Sequence, residues 1–226
     1  VLKPLLALQQ QRVDSYAQLL EAFKKREPEL LKRYAAALKK AKENKTRRPR
    51  KPQPPRHPGT SANRPNGLYN GSIAPLQPFA IRGAIWYQGE SNSSRGKEYQ
   101  TLFPAMISSW RRAWGQGDFP FLFVQITPHR NMSPEVREAQ RATTETTQNT
   151  AMAVTVDVGH PTDIHPKQKQ PIGERLALAA RALAYGEDIE YSGPTYDSMS
   201  IDGQKVVLRF KHLGGGLVAQ GGDLKG

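Results

Sequence analysis

The stretch that most constrains the fold is residues 81–92, an apolar run that ends abruptly on a group of polar side chains. Arg82 to Tyr87 has the length and composition of a buried strand, and Gly89 then breaks the run. The polar residues therefore follow the carboxyl end of the predicted strand. Open α/β sheets hold their ligands and reactive groups at that edge. The sequence thus predicts an α/β domain with a functional loop after this strand.

Strand-like and helix-like segments alternate downstream of this run. We predict strands at 82–88, 119–126 and 151–158, and helices at 96–114, 134–148 and 167–185. Ser133 is expected to cap the second helix, and Gly186 to end the third. Such alternation is typical of parallel strands joined by right-handed helical crossovers. Three units make a small sheet, so we expect further strands from a part of the protein that precedes this sequence.

The first quarter of the chain has a different character. Residues 5–44 carry apolar side chains at helical spacing in two stripes separated by Pro28, which predicts two helices with a break at that proline. Residues 46–65 are rich in Arg, Lys and Pro and have no periodicity, as in a linker or a surface excursion. Near the other end, residues 205–211 have the pattern of a strand.

The formal charge of +13 is concentrated in this first quarter. Residues 1–58 hold 16 Lys and Arg but five Asp and Glu, a net charge of +11. Clustered cations suit nucleic acid, but no zinc-ligand spacing, aromatic RNA-binding strand or recognition helix accompanies them. We therefore expect a solvated basic insertion and no nucleic-acid partner. Cysteine is absent, which excludes disulfides and thiolate metal sites, and no apolar run approaches the ~20 residues that cross a bilayer.

Several separated blocks of the sequence form a recognisable set. They are Trp86-Tyr87-Gln88-Gly89-Glu90-Ser91-Asn92, Asp163-Ile164-His165-Pro166, Leu68-Tyr69-Asn70-Gly71 and Gly173-Glu174-Arg175-Leu176-Ala177-Leu178-Ala179. Taken in their order along the chain, they resemble the sialate O-acetylesterases, a carbohydrate-esterase branch of the SGNH hydrolase superfamily. The likeness covers roughly residues 64–226. It implies a three-layer α/β/α fold with a parallel sheet, an acetylated carbohydrate as substrate, no cofactor, and export of the protein to the periplasm or the medium.

The resemblance also suggests a division of the chain. Residues 1–45 are predicted to form a helical insertion and residues 46–66 a basic, proline-rich linker. Residues 67–187 are predicted to form part of the SGNH-like core, and residues 188–226 the start of a C-terminal β-rich region.

The resemblance assigns roles to individual residues. His165 matches the general base, and Gln88 the side-chain amide that donates to the oxyanion. Gly89 and Asn92 are expected beside Gln88 in the same oxyanion- and substrate-binding loop. The acid that orients His165 stays open between two carboxylates. Asp163 lies two residues before the histidine, whereas the superfamily usually spaces its acid three residues before it. Glu90 belongs to the Gln-Gly-Glu block, where a carboxylate could reach the imidazole, and it is preferred over Asp163.

The nucleophile is missing from these blocks. In the family it is the serine of a Gly-Gln-Ser-Asn block, a string that occurs nowhere in these 226 residues. Ser91 does not replace it, because its surroundings lack the second glycine of a nucleophile elbow. We therefore expect a fragment that is inactive by itself. The alternatives are a noncatalytic carbohydrate-binding remnant and, less favoured, a basic nucleic-acid-associated protein. His160, Asp163 and His165 also have metal-ligand spacing, but no further ligand is evident.

Overall fold

The computed structural model describes residues 2–60, 64–218 and 222. The chain divides into two compact units, Val1–Pro78 and Phe79–Gly226. No helix in the described ranges has both the length and the apolarity needed to cross a lipid bilayer.

Unit 1 begins with two helices, α1 (Leu2–Asp14) and α2 (Tyr16–Glu43). The predicted number is confirmed, but the predicted break at Pro28 is wrong, because α2 continues through that proline. The fixed φ of proline suits a helix, and Pro28 is exposed, so water can solvate the carbonyl that loses its N–H partner. The interruption lies instead at Ser15, where the hydrogen bonds Ser15 N–H to Gln11 O (3.0 Å) and Leu19 N–H to Ser15 O (3.2 Å) keep the backbone nearly helical.

The proline-rich segment 46–58 lies along these two helices. Arg48 donates to the hydroxyl of Tyr34 at 3.4 Å, and the ring of His57 meets that of Tyr16 edge-on, with centroids 4.6 Å apart. Gln9 then donates its side-chain amide to Pro58 O at 3.1 Å. As the segment proceeds, its partners move back from residue 34 to residue 9. The segment therefore runs antiparallel to the helices. Past this segment, short helical turns at Tyr69–Ile73 and Ala74–Leu76 carry the chain to the end of unit 1.

Unit 2 is built on a parallel sheet in the order β1 (Ala84–Trp86), β2 (Phe121–Val124) and β3 (Thr150–Ala153). The connecting helices are α3 (Gly96–Trp114) and α4 (Glu135–Thr146), and α5 (Gln170–Tyr185) follows β3. This arrangement confirms the predicted α/β class and parallel pairing. The strands are shorter than predicted, because apolar residues beyond them, such as Ile126 after β2, are buried in loops.

Helices cover both faces of the sheet. Since side chains alternate along β2, each face of the strand packs against a different set of helices. Phe121 and Phe123 enter the larger core with α3 and α4, which contribute Tyr99, Phe103, Ile107, Val136 and Ala139. Leu122 and Val124 face the other way, toward Ile172, Leu176 and Ala179 of α5. The result is a three-layer α/β/α arrangement. Helix α5 ends at Gly186, whose φ of +74° is the predicted left-handed cap.

The last described element is a hairpin of β4 (Thr195–Asp202) and β5 (Lys205–Lys211). Strand β5 was predicted with these bounds, but β4 was missed because its Ser and Asp residues resemble a polar loop. The two strands turn at Gly203, where φ is +58°. Paired residues share a face, so one face of the hairpin is apolar and largely exposed. Its side chains are Tyr196, Met199, Ile201, Val206, Leu208 and Phe210.

Candidate active site

The loop after β1 is set by a glycine in a conformation that other residues rarely adopt. Gly89 has φ of +154° and is buried. A Cβ at this position would lie 2.7 Å from Ile126 Cγ2 and 3.3 Å from Val136 Cγ1. The strand end therefore packs directly against the segment after β2 and the first turn of α4. This close approach needs glycine and turns the chain sharply into the 3₁₀ turn Glu90–Asn92.

The side chain of Gln88 is held inside this loop. Its Nε2 donates to Asn92 Oδ1 at 2.8 Å, and the hydroxyl of Tyr99 lies 3.4 Å from its Oε1. The Tyr99 hydroxyl also donates to the Gln88 main-chain oxygen at 3.1 Å. Because an amide NH₂ has two hydrogens, one remains for a ligand when the other is bonded to Asn92. Tyr99 itself is buried, and burial raises its pKa to about 12, so it remains a neutral donor at physiological pH.

Gln140 of α4 holds the backbone of Gln88 from the interior of the domain. Its side chain is fully buried, and its Nε2 lies 3.2 Å from Gln88 O and 3.3 Å from Val124 O. Its Oε1 accepts the N–H of Ile126 at 2.9 Å. One side-chain amide thus ties together the chain after β1 and the chain after β2. Gln140 was not among the predicted site residues, because its place between Ala139 and Thr143 on the buried face of α4 indicates burial but not the partner that it bonds.

The rest of the loop after β1 is more open. Glu90 is half-buried, and its carboxylate makes no hydrogen bond or ion pair with any residue that the structure describes. Its charge nonetheless adds to burial in raising the pKa of the Tyr87 phenol. Ser91 is exposed, and the Asn92 N–H closes the turn on Gly89 O at 2.8 Å. Glu90 therefore sits beside Gln88 as a free carboxylate.

The second part of the site is the loop between β3 and α5. Asp163 Oδ1 accepts the backbone N–H of His165 at 2.9 Å and lies 3.7 Å from His165 Nδ1. The backbone hydrogen bond, helped by the charge of nearby His165, lowers the pKa of Asp163. The imidazole is 84% exposed. The two residues are therefore neighbours, with the ring accessible to a ligand and the carboxylate ionised at neutral pH.

The tertiary structure brings these two loops to the same edge of the sheet. Lys169, just before α5, places its Nζ 4.9 Å from the ring centroid of Tyr87, which directly precedes Gln88. At the far end of α5, Arg82 donates to Ala184 O at 2.9 and 2.6 Å. Helix α5 thus runs antiparallel to β1, with its N-terminal end beside the Gln88 loop. No direct contact joins His165 to Gln88 or Glu90 among the described residues.

An ion pair anchors the start of the histidine loop. Arg175 of α5 donates to Val154 O at 2.6 Å and to the two carboxylate oxygens of Asp157 at 2.8 and 2.5 Å. The bidentate bond lowers the pKa of Asp157. Because Val154 and Asp157 directly follow β3, this contact holds the loop that leads to Asp163 and His165 against α5.

The spacing that suggested a metal site does not produce a cluster. His160 Nδ1 accepts the N–H of Thr162 at 3.2 Å, a local turn contact. Across residues 2–60, 64–218 and 222, no group of three or more His, Asp or Glu side chains is placed to hold a metal ion.

Comparison with known proteins matches this architecture to one family. The family model described as "Carbohydrate esterase, sialic acid-specific acetylesterase" matches residues 59–182, which is more than half of the chain. The mouse sialate O-acetylesterase is 38% identical over 159 residues, covering 60% of this chain and 29% of the mouse protein. The human sialate O-acetylesterase is 32% identical over 177 residues, covering 68% of this chain and 34% of the human protein.

A solved structure gives the same result. The crystal structure of a carbohydrate acetylesterase from Xanthomonas citri is 45% identical, with a TM-score of 0.60, and covers 64% of this chain and 35% of that protein. The chain therefore spans about a third of the length of the relatives that it matches. The shared sequence blocks, the parallel sheet and these matches lead to one conclusion: the chain belongs to the carbohydrate esterase family of sialic acid-specific acetylesterases.

Proposed function

We propose that this chain supplies the general base and an oxyanion donor of a site that removes O-acetyl groups from carbohydrates. One observation carries the proposal: the Gln88 loop and the Asp163–His165 loop lie at the same edge of the sheet, linked by the Tyr87–Lys169 contact. Family membership and the names of the relatives support an acetylated carbohydrate as the substrate. Within that class we propose O-acetylated sialic acid or a related acetylated glycan.

The mechanism we propose uses a serine from the family's Gly-Gln-Ser-Asn block, which these 226 residues lack. The serine oxygen attacks the acetyl carbonyl carbon while His165 takes its proton. The free N–H of Gln88 donates to the oxyanion that forms. When the tetrahedral intermediate collapses, the sugar oxygen leaves with the proton from His165. Water, activated by His165, then attacks the acetyl-enzyme and releases acetate and the serine.

The orienting carboxylate in this proposal is Asp163. Its distance of 3.7 Å from His165 Nδ1 and its lowered pKa support this choice, because an ionised carboxylate stabilises the imidazolium that forms during proton transfer. Glu90 is the alternative. It has no contact with His165 among the described residues. Because it lies beside Gln88, which is proposed to donate to the oxyanion, its negative charge is expected to destabilise the oxyanion.

The first test compares hydrolysis of p-nitrophenyl acetate by this chain and by the same chain extended to the start codon of its gene. We expect activity in the extended protein alone. Activity of the short chain would contradict the assignment of the nucleophile to a separate block. Inactivity of both, with retained binding of acetylated sugars, would favour the noncatalytic carbohydrate-binding alternative. O-acetylated sialic acid and acetylated xylan, compared as substrates of the active protein, then separate the two sugar classes.

Variants of the extended protein test the individual roles. His165→Ala is expected to abolish turnover. The matched control is His129→Ala, because it also removes an imidazole, and the Nδ1 of His129 accepts the backbone N–H of Asn131, a local contact with no proposed catalytic role. Gln88→Ala is expected to lower kcat by about 10²–10³-fold, as for other oxyanion donors. Asp163→Asn is expected to lower kcat by up to about 10⁴-fold. A larger loss in Glu90→Gln than in Asp163→Asn would reassign the acid to Glu90.

A further inference from the structure

A cavity of about 370 Å³ lies at the carboxyl end of α2 in unit 1. Its lining residues are Leu38, Ala41, Lys42, Lys45, Thr46 and Arg48. Half of them carry a positive charge, and none of the three cations forms an ion pair within the described part of the chain. The volume falls in the range of small-ligand sites, which is about 300–1,000 Å³.

The backbone after α2 makes the cavity. Lys45 has φ of +50°, which reverses the chain, and the Thr46 N–H then bonds to Ala41 O at 2.9 Å. This turn folds the proline-rich segment back over Ala41, which is buried. Arg48, on the returning segment, donates to the Tyr34 hydroxyl. Residues of the helix and of the returning segment therefore line one space, and its three cationic side chains are all exposed to solvent.

Helix stability alone does not explain these charges. A cation in the last turn, such as Lys42, interacts favourably with the helix macrodipole. Arg48 lies five residues beyond the end of α2 and is oriented by Tyr34, so that reason does not apply to it. Between residues 30 and 60 the sequence holds eleven Lys and Arg but one carboxylate, Glu43. Such a one-sided charge distribution attracts anions.

From these observations we propose that the cavity binds an acidic sugar unit, through Lys42, Lys45 and Arg48. The guanidinium of Arg48 can bond a carboxylate or a sulfate in a bidentate manner, and the two ammonium groups add point charges. The apolar floor of Leu38 and Ala41 leaves room for the ring that carries the anionic group. No aromatic side chain lines the cavity, whereas sites for single-stranded nucleic acid use aromatic rings to stack the bases.

The choice of a glycan rests on the proposed function, because an acidic polymer held by unit 1 would bring its own acetyl groups to the same protein. The site would then act by raising the local concentration of the substrate and not by chemistry. Binding at the cavity requires no acetyl group, so it can be measured separately from hydrolysis.

The test is binding of the complete 226-residue chain to polysialic acid that carries no O-acetyl groups, measured by titration calorimetry. Dextran sulfate, neutral dextran of equal length and a single-stranded DNA of equal charge are the comparison probes. The cavity variant is Lys42→Gln, Lys45→Asn and Arg48→Gln, in which asparagine tolerates the positive φ at residue 45. The matched control is Lys24→Gln, Lys25→Gln and Arg26→Gln, which removes the same charge from another part of α2.

We expect the cavity variant to weaken binding of the acidic glycans at least tenfold and the control variant to change it less than threefold. Neutral dextran should not bind. Equal losses in the two variants would overturn the proposal in favour of diffuse attraction by net charge. DNA binding as tight as glycan binding would overturn the choice of a sugar. Because the polymer carries no acetyl ester, failure of the esterase mechanism, seen as activity retained in His165→Ala, leaves this result unchanged.

Discussion

Gln140 and Tyr99 are predicted to act together on a single acceptor, the main-chain oxygen of Gln88. Both donate to it, Tyr99 through its hydroxyl at 3.1 Å and Gln140 through its Nε2 at 3.2 Å. Removing either donor leaves the other in place. Removing both leaves a half-buried carbonyl without a partner at the end of β1. The perturbation is therefore a double-mutant cycle of Gln140→Met, Tyr99→Phe and their combination.

The geometry sets the size of each effect. Tyr99→Phe removes one neutral hydrogen bond, which costs about 0.5–1.5 kcal/mol of the free energy of unfolding. Gln140→Met keeps the side-chain volume but leaves the Ile126 N–H without its acceptor in a buried place, which costs about 1–3 kcal/mol. The double variant also orphans Gln88 O. Its loss should therefore exceed the sum of the single losses by about 1 kcal/mol, within the range found for residues that share a partner.

The assay is urea unfolding followed by tryptophan fluorescence. All three tryptophans of the chain, Trp86, Trp110 and Trp114, lie in unit 2, so the signal reports on that unit and not on the helices of unit 1. Equal m-values in the four proteins would show that the transitions can be compared. Losses that add to within about 0.5 kcal/mol would refute the shared-acceptor account, because independent sites add within that limit.

Three further predictions concern stability measured in the same way. Gly89→Ala should cost about 2–4 kcal/mol because of its positive φ and the 2.7 Å contact, whereas Gly173→Ala, in open space on α5, should stabilise by up to about 1 kcal/mol. Asp157→Asn should cost about 0.2–1 kcal/mol at pH 7. Because Arg175 lowers the pKa of Asp157 below 3.8, this stabilisation is present above pH 3.8, and the variant should converge with the wild type as the pH falls through the lowered pKa. Burial raises the pKa of Tyr99 from 10.0 to about 12. The free energy of unfolding is therefore unaffected by this group below pH 10 and falls by about 2–3 kcal/mol as the pH rises to 12. Tyr99→Phe should lack this alkaline loss.

The parts of the fold that follow from local pattern were predictable. Helix α3 has the predicted bounds, because its apolar face repeats at helical spacing and Gly115 ends it with φ of +64°. Strand β5 likewise has the predicted bounds. The predicted break at Pro28 failed for a reason that is also local: a proline in an exposed helix costs one hydrogen bond, which water can replace, and the surrounding residues are strong helix formers.

Contacts between distant residues could not be predicted in this way. Strand β4 is recognisable only through its pairing with β5, because its own residues are mixed in polarity. The role of Gln140 depends on a loop 52 residues away in the sequence. A glutamine on an otherwise apolar helix face has the same local pattern whether it bonds to a loop or faces solvent.

The candidate site shows the same division. The amino-acid sequence by itself determined which residue types are available, the polar loop that follows the first strand, and the spacing of two residues that allows Asp163 and His165 to be neighbours. The tertiary structure alone decided that Asp163 Oδ1 lies 3.7 Å from the imidazole, that Glu90 has no such contact among the described residues, and that the Tyr87–Lys169 pair joins the two loops. The physical reason is that periodicity and spacing encode which face of an element is buried, whereas the meeting of loops from different strands depends on how the helices pack across the sheet.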